Sequence, residues 1–240
     1  MKFEFPLIEA KLVRRYKRFL ADVILSDGSE TTVHCPNTGS MLGCNEPGST
    51  VWLLPVENPT RKYPLGWELV EVNQSVLVGI NTGRSNNLVA EALEHGLIGE
   101  LTGFTSIRRE VKITGTRSRI DFLLSEHETE PDCYLEVKNV TASVDNGYAF
   151  FPDAVSIRAT RHVEELTERV EAGQRGALCF CVQRADVEYV VPADEIDPAY
   201  GKALRKAVEI GVEVYALGAT VTSQSVTLER RLPVRLDGKY

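Results

Sequence analysis

The chain has 240 residues, 43% hydrophobic and 25% charged, which is ordinary for a globular protein of one large or two small domains. No apolar run approaches the roughly 20 residues that a membrane-spanning helix needs, and charges interrupt the N-terminal region where a secretory signal would be apolar. The net charge of −7 argues against a protein that binds a polyanion over its whole surface. We therefore expect a cytoplasmic protein that makes no membrane contact.

The charge is unevenly distributed along the chain. Residues 1–120 carry a net charge of +1 and residues 121–240 a net charge of −8. Because salt screens exposed charges beyond about 8 Å, a local basic cluster can bind phosphate groups on an acidic protein. Scattered solvated charge is the alternative explanation. The candidate DNA-binding residues from these clusters are Arg14, Arg15, Lys17, Arg18, Arg117 and Arg119.

The first 80 residues show five short β-type segments, separated by turn residues, and no helical pattern. Leu7–Leu25 alternates apolar and polar residues and runs into a turn at 26–29. The others lie at Glu30–Cys35, Thr50–Val56, Trp67–Val72 and Val76–Ile80. Five short strands favour a small closed barrel over residues 1–80. An oligonucleotide-binding (OB) barrel is the leading candidate, although other small barrels have the same strand count.

Residues 81–240 mix helical and strand patterns, which predicts a second, α/β domain. A helix capped by Asn86 or Asn87 ends at Gly96, and two further helices are predicted over Arg158–Glu171 and Pro198–Ile210. Strands are predicted near 106–113, 117–124, 133–141, 177–182 and 212–217. The first six elements follow the order α-β-β-β-α-β, which is the core order of the restriction-endonuclease-like, or PD-(D/E)xK, nucleases.

Two of these strands carry the most informative polar residues. Asp121 lies on the segment 117–124, and Glu136 and Lys138 lie two residues apart on the segment 133–141. Strand periodicity puts Glu136 and Lys138 on one face, opposite the apolar residues Cys133, Leu135 and Val137. The same rule predicts that Ile120, Phe122 and Leu124 face the core and Asp121 faces away. If the two strands pair, Asp121 and Glu136 converge.

Two convergent carboxylates suit a hard divalent cation, which here would be Mg²⁺ or Mn²⁺. Such an ion polarises a phosphate and lowers the pKa of a bound water, and Lys138 could neutralise the charge that develops. Glu91, on the first helix, could supply a third acid. The alternative is an ion pair on an exposed hairpin, which is common and contributes little to stability.

Three other groups of residues have weaker signals. Arg158, Arg161 and His162 on the second helix could contact phosphate, although a histidine there is more often at the surface or half-buried. For Asp153 a structural role at the start of that helix is favoured. The segment 37–40 could form an anion-binding nest, but a barrel turn explains it equally well. The five cysteines are odd in number and lie mostly in apolar runs, which predicts reduced, buried thiols.

Longer stretches of the sequence carry a family resemblance that spans almost the whole chain. They are RRYKRFLADV (14–23), VHCPNTGSM (33–41), RKYPLGWELV (61–70), RSRIDFLL (117–124), LEVKNVT (135–141) and FPDA (151–154). In these stretches the chain closely resembles the sugar fermentation stimulation protein A (SfsA) family. The resemblance implies an N-terminal OB-like barrel followed by a PD-(D/E)xK domain over residues 81–240. By motif match it also places Asp121, Glu136, Lys138 and Glu91 at the nuclease positions.

Two functions are consistent with these residues. The resemblance implies a DNA-binding protein with little sequence preference and a proposed link to the regulation of sugar catabolism, its nuclease-like domain carrying a metal site. The alternative is an active Mg²⁺- or Mn²⁺-dependent nuclease on DNA or RNA. A carbohydrate-binding role has only the family name in its favour. The sequence predicts no oligomeric state.

Overall fold

The computed structural model describes residues 1–57, 60–73, 75–113, 118–144 and 147–237. These residues form an all-β N-terminal part and a mixed α/β C-terminal part, which confirms the predicted fold class. Among the helices of these residues, none has both the length and the apolar character needed to cross a membrane.

The N-terminal strands curl into a barrel around Trp67, which is fully buried with Leu12, Val23, Val33 and Leu53. The strands are β1 (Ile8–Tyr16), β2 (Leu20–Leu25), β3 (Glu30–His34), β4 (Thr50–Pro55), β5 (Leu65–Val72) and β6 (Val76–Gly79). β1 pairs with β2 and β4, β2 with β3, and β4 with β5, all antiparallel. A parallel pair between His34 and Gly66 closes the ring of five strands, and β6 adds to β5. The OB-like barrel is therefore confirmed.

The segment predicted as one alternating run over 7–25 is two strands, and this prediction was wrong. The chain reverses between Tyr16 and Leu20, which pair with each other across the hairpin. Lys17 and Arg18 have φ angles of +51° and +65°, a left-handed conformation that non-glycine residues rarely adopt. No glycine, proline or asparagine marks this turn, so the sequence lacks the signal that reveals such reversals.

The C-terminal part is a six-stranded sheet covered by helices on both faces. Its helices are α1 (Ser85–Glu94), α2 (Ile157–Glu171) and α3 (Pro198–Ile210). Its strands are β7 (Ser106–Lys112), β8 (Arg119–Ser125), β9 (Cys133–Val140), β12 (Arg175–Val182), β14 (Glu213–Val221) and β15 (Val226–Arg231), in the order β15-β14-β12-β9-β8-β7. β9, β12 and β14 run parallel, as expected where helices cover both faces. This is the predicted PD-(D/E)xK-like domain.

Alternate residues of β9 and β12 face two separate cores. Leu135 and Cys179 pack on the α1 side, whereas Phe180 packs with Val163 of α2 and Leu204 of α3. The α1-side core also contains Leu69 of the barrel, so the two parts of the chain share hydrophobic packing. The division at residue 80 stays a prediction.

The predicted helices form close to their expected bounds, with one difference in capping. Asn86 and Asn87 do not cap α1, because the Asn86 amide donates to Asp121 and the Asn87 oxygen accepts from Arg109. Instead the Asn81 side chain caps a short 3-10 turn that leads into the helix. The sequence did not predict β15 or a small three-stranded sheet built from β10 (Ser143–Val144), β11 (Tyr148–Phe151) and β13 (Tyr189–Pro192).

Close packing of α2 on β12 depends on Gly176, and Gly176→Ala tests this. An added Cβ would lie 2.9 Å from the Leu166 carbonyl oxygen and 3.2 Å from a Val170 methyl group. We expect the free energy of unfolding to fall by about 1–3 kcal/mol in urea titrations followed by circular dichroism. The control is Gly99→Ala, since nothing lies within 4 Å of its Cβ and the change should stay within about 0.5 kcal/mol. Unchanged stability in Gly176→Ala would show that α2 can shift freely.

Candidate metal site

Strands β8 and β9 stop pairing next to Asp121. Their backbone ladder pairs Leu124 with Cys133 and Phe122 with Leu135 and goes no further. Beyond it, Asp121 Oδ2 accepts a hydrogen bond of 2.7 Å from the Val137 N–H, in place of a backbone partner. Asp121 Oδ1 accepts 2.9 Å from the Asn86 amide of α1. The Asp121 carboxylate is therefore held between two strands and a helix.

The apolar neighbours of Asp121 do not share one face as predicted. Phe122 and Leu124 pack in the α1-side core, whereas Ile120 packs in the α2-side core. On the adjacent strand β7, Glu110 has a φ of +52° and falls between the paired residues Arg109 and Val111. The register of β7 and β8 is the same on both sides of Glu110. Strict alternation nevertheless does not hold across Asp121, at the position where β8 also stops pairing with β9.

Glu136 lies on the α2 side of β9 and is 4% exposed. Its Oε1 accepts from Lys138 Nζ at 2.6 Å and contacts His162 Nδ1 of α2. Arg158 Nε donates to the other ring nitrogen of His162 at 3.4 Å, so in this arrangement the Nδ1–H donates to Glu136. Glu136 Oε2 remains for another partner. The predicted proximity of Glu136 and Lys138 is thus observed, with a histidine as a further member.

The two acids differ in their proton affinity. Burial and the nearby charge of Glu136 raise the pKa of Asp121 to about 6, although the Val137 and Asn86 hydrogen bonds oppose this. Burial would also raise the pKa of Glu136, but His162 and Lys138 outweigh it, so the pKa is lowered. At neutral pH both are carboxylates, and the Coulomb repulsion between them is a feature that a bound cation would relieve.

Both acids open into a cleft of about 360 Å³. The basic residues that line the cleft are Arg119 of β8 and Arg158 and Arg161 of α2. Its remaining lining residues are Glu110, Ser118, Asp121, Glu136 and His162. Carboxylates at the base and guanidinium groups around them are an arrangement that can hold a cation and a phosphate together.

Glu91 lies elsewhere. Its carboxylate accepts 2.8 Å from the N-terminal ammonium of Met1, which also bonds the Val226 carbonyl of β15. Glu91 does not line the cleft. The helix residue that reaches Asp121 is Asn86, five positions earlier. The structure therefore brings together three of the four predicted nuclease positions.

The predicted DNA-binding residues also separate into different roles. Arg14 pairs with Asp22 at 2.8 Å. Arg15 donates to the carbonyl groups of Arg18, Asn37 and Gly39 at 2.8–2.9 Å and to that of Ser40 at 3.4 Å. Arg15 thus ties the loop 37–40 to the barrel and has little capacity left for phosphate. Exposed residues Lys17 and Arg18 lie at the β1–β2 turn, and Arg119 lines the cleft. Arg117 lies outside the described residues.

His162 is buried at the site, whereas the sequence predicts a surface or half-buried position. It is 5% exposed. A signal was present, because residues 159, 162, 163 and 166 follow the spacing of a buried helix face. The five cysteines are free and buried, as predicted. In the described ranges, no group of three or more His, Cys, Asp or Glu residues is arranged to hold a metal ion.

Comparison with known proteins places this fold in one family. A model of the sugar fermentation stimulation protein RE domain matches residues 83–225, and one of the SfsA N-terminal OB domain matches residues 13–80. The chain belongs to the sugar fermentation stimulation protein family. A homolog from Thioalkalivibrio sulfidiphilus is 58% identical over 98% of each chain. One from Pseudomonas aeruginosa is 52% identical over 98% of this chain and all of its own.

The SfsA family also has a solved structure of the same architecture. The structure of Pyrococcus furiosus SfsA in complex with Ca²⁺ superimposes with a TM-score of 0.86 and covers 98% of both chains at 26% identity. The family membership predicted from sequence is therefore confirmed. The OB barrel and the α/β domain are those of SfsA proteins.

The raised pKa of Asp121 predicts how stability depends on pH in metal-free protein. The unfolded carboxyl has a pKa of 3.8, so between pH 4 and 6 only the folded state holds this proton. The contribution of Asp121 to stability is thus lost as pH rises through about 6, by about 2–3 kcal/mol. We expect Asp121→Asn, which is always neutral, to gain stability relative to the wild type over this range in EDTA.

The control for this titration is Asp27→Asn. A hydrogen bond from Ser29 lowers the pKa of Asp27, so its contribution is present above pH 4 and is lost as pH falls. This variant should therefore change the pH profile in the opposite direction. Parallel profiles for Asp121→Asn and the wild type would contradict the buried, repelled carboxylate.

Proposed function

We propose that this SfsA protein binds DNA with little sequence preference along the cleft and holds Mg²⁺ or Mn²⁺ at Asp121 and Glu136. One observation carries the proposal: Asp121 and Glu136, with a third carboxylate from Glu110, line the same cleft as three arginines. Arginines bind phosphate oxygens, which are the same in every nucleotide, so such contacts position a strand without reading its sequence.

The donor set fits a divalent cation of this kind. No described residue donates a hydrogen bond to Glu136 Oε2, and each Asp121 oxygen accepts one hydrogen bond and keeps a further lone pair. Two carboxylates leave most of an octahedral shell to water and phosphate, which is how Mg²⁺ usually binds. The Ca²⁺ complex of the Pyrococcus furiosus relative supports a hard cation in this family. When bound, the ion polarises a phosphate and lowers the pKa of a bound water.

The side chains around the acids have separate tasks. Arg158 and Arg161 reach the cleft from one helix and Arg119 from the opposite strand, so a phosphate between them meets guanidinium groups on both sides. His162 fixes the orientation of the Glu136 carboxylate through Nδ1. Lys138 lies against the same carboxylate and supplies a positive charge at the base of the cleft.

Metal-dependent cleavage of DNA or RNA is the second candidate function. Lys138 favours it, because its ammonium group is 2.6 Å from the metal-binding Glu136 and only 11% exposed. In that position it could neutralise negative charge on a phosphate in the transition state. A protein that only binds DNA has no need for two buried acids beside the phosphate.

Binding through these arginines should depend steeply on salt. We expect the affinity for a DNA duplex to fall by orders of magnitude between about 50 and 200 mM salt in anisotropy titrations. Arg158→Ala and Arg161→Ala should each weaken binding and reduce the slope of log K against log salt by about 1. Lys202→Ala, an exposed cation on α3, is the control and should leave the slope unchanged. Identical slopes for all four proteins would exclude the cleft as the DNA site.

Metal binding and cleavage are tested together. Calorimetry with Mn²⁺ should show binding to the wild type and about tenfold or greater weakening in Asp121→Asn, which keeps the shape but loses the charge. Equal heats in both proteins would contradict the site.

Cleavage of single- and double-stranded DNA and RNA is then assayed with the wild type and Lys138→Met. Loss of cleavage with retained DNA binding supports the nuclease, whereas no cleavage of any substrate leaves the DNA-binding function.

A further inference from the structure

A second cavity, of about 170 Å³, lies between the barrel and the α/β domain. The barrel contributes Asn37 and Thr38, and the α/β domain contributes Asn139 and Thr141 from the end of β9 and Phe150 and Asp153 beyond it. A cavity of this size holds several water-sized groups, so it admits one small ring but not a duplex. None of the tasks assigned to the metal cleft uses these residues.

Two side-chain amide groups in this cavity are held in orientation by the hydrogen bonds that their oxygen atoms accept. Asn139 Oδ1 accepts from Ser85 Oγ at 2.9 Å and from Gln183 Nε2 at 2.6 Å. Asn37 Oδ1 accepts from the Gly39 N–H at 2.8 Å, and Asn37 is 4% exposed. Neither side-chain NH₂ group has a hydrogen-bond acceptor among the described residues. Both NH₂ groups can therefore donate to a ligand that enters the cavity.

The cavity also offers a carboxylate acceptor. Asp153 Oδ2 accepts from Ser40 Oγ at 2.9 Å and from the Met41 N–H at 3.1 Å. Asp153 Oδ1 receives no hydrogen bond from any residue within the described ranges. Phe150 and Phe151 supply apolar wall. The amide and carboxylate groups therefore present two donors and one acceptor next to an aromatic surface, and the hydroxyl groups of the lining threonines can either donate or accept.

Its position connects this cavity to the metal cleft. Strand β9 contributes Glu136 to the cleft and Asn139 to the cavity, three residues or about 10 Å farther along the strand. A second connection runs from Asp153 in the cavity to Arg158 in the cleft. Between them, Val155 and Ile157 are 72% and 85% exposed, on either side of Ser156, which caps α2 and is held by Asp197.

The pattern of donors and acceptor matches a pyrimidine. The Watson–Crick edge of cytosine or thymine has two acceptors and one donor, whereas that of guanine has one acceptor and two donors. An unpaired base can be held by hydrogen bonds to this edge and by contact with aromatic and apolar side chains. The exposed Val155 and Ile157 fit this arrangement, because apolar side chains beside a phosphate site can separate neighbouring bases.

We propose that the interdomain cavity binds the base of an unpaired pyrimidine nucleotide in a strand whose phosphate lies in the metal cleft. This inference rests on the proposed function, since it requires nucleic acid in the cleft. It makes single strands rich in pyrimidine the preferred ligand.

The test compares equal-length single strands of dT, dC and dA and one duplex by fluorescence anisotropy, in buffer that contains Ca²⁺. Equal length keeps the number of phosphates equal, so the arginine contacts contribute alike. We expect dT and dC to bind roughly tenfold more tightly than dA, the effect of one good set of base hydrogen bonds. Equal affinities for the three strands would overturn the inference and leave the proposed function intact. Failure of all four to bind would reject both.

Two isosteric variants assign the preference to the cavity. Asn139→Asp keeps the oxygen that Ser85 and Gln183 use and loses only the NH₂ donor. Asp153→Asn can keep an acceptor for Ser40 and Met41 and loses the free one. Both should bring the dT and dA affinities within about twofold of each other.

The two variants change charge in opposite directions, so a general charge effect cannot produce the same loss of preference in both. Gln224→Glu is the charge control, since this exposed residue lies in the turn between β14 and β15. It should keep the full preference for pyrimidine. Thermal melting curves show that each variant is folded. A preference that survives in both Asn139→Asp and Asp153→Asn would place base recognition outside the cavity.

Discussion

The hydrogen bond from the Val137 N–H to Asp121 lies where strands β8 and β9 stop pairing, and the site depends on it. A carboxylate replaces a backbone carbonyl as the partner of that N–H. Without this substitution, the ladder would continue past Phe122, or a buried N–H would be left without an acceptor, which costs about 1–3 kcal/mol. With it, the strands separate and the gap between them becomes the cleft. The Asp121 side chain thus satisfies the backbone at the place where the sheet opens.

The same gap determines the electrostatics. Asp121 and Glu136 are brought close together in a poorly hydrated place, so each raises the free energy of the other's negative charge. The two carboxylates have different neighbours. Lys138 and His162 compensate the charge of Glu136. Among the described residues, the hydrogen-bond donors to Asp121 are neutral, the Val137 N–H and the Asn86 amide, and Lys138 offsets its charge only in part. This leaves uncompensated negative charge at Asp121, where a cation would bind, and positive charge from arginines at the rim.

One of the contacts between the barrel and the C-terminal domain runs through the loop of residues 37–41. Arg15 holds this loop from the barrel side by bonding the carbonyls of Asn37 and Gly39. Asp153 holds it from the other side by accepting from Ser40 and Met41. A Cβ on Gly39 would lie 2.8 Å from an Asp153 oxygen, so only glycine allows this approach. An arginine that reads as a phosphate contact in sequence thereby becomes a structural residue of the interdomain contact.

The sequence by itself determined the fold class, the three helices and the strands that carry Asp121 and Glu136, because hydrophobic periodicity and glycine stops are local signals. The family motifs added the prediction of an OB-like barrel followed by a PD-(D/E)xK-like domain. Tertiary structure decided which polar residues meet. His162 contacts Glu136 because α2 packs across β9. Glu91 lies outside the site, and its carboxylate pairs with the N-terminal ammonium group. Ile120 and Phe122 face different cores although strict alternation predicts one, and the turn at Lys17 and Arg18 lacked any turn residue. The contacts of His162 with Glu136 and of Glu91 with Met1 join residues distant along the chain, and no local pattern encodes which residues meet.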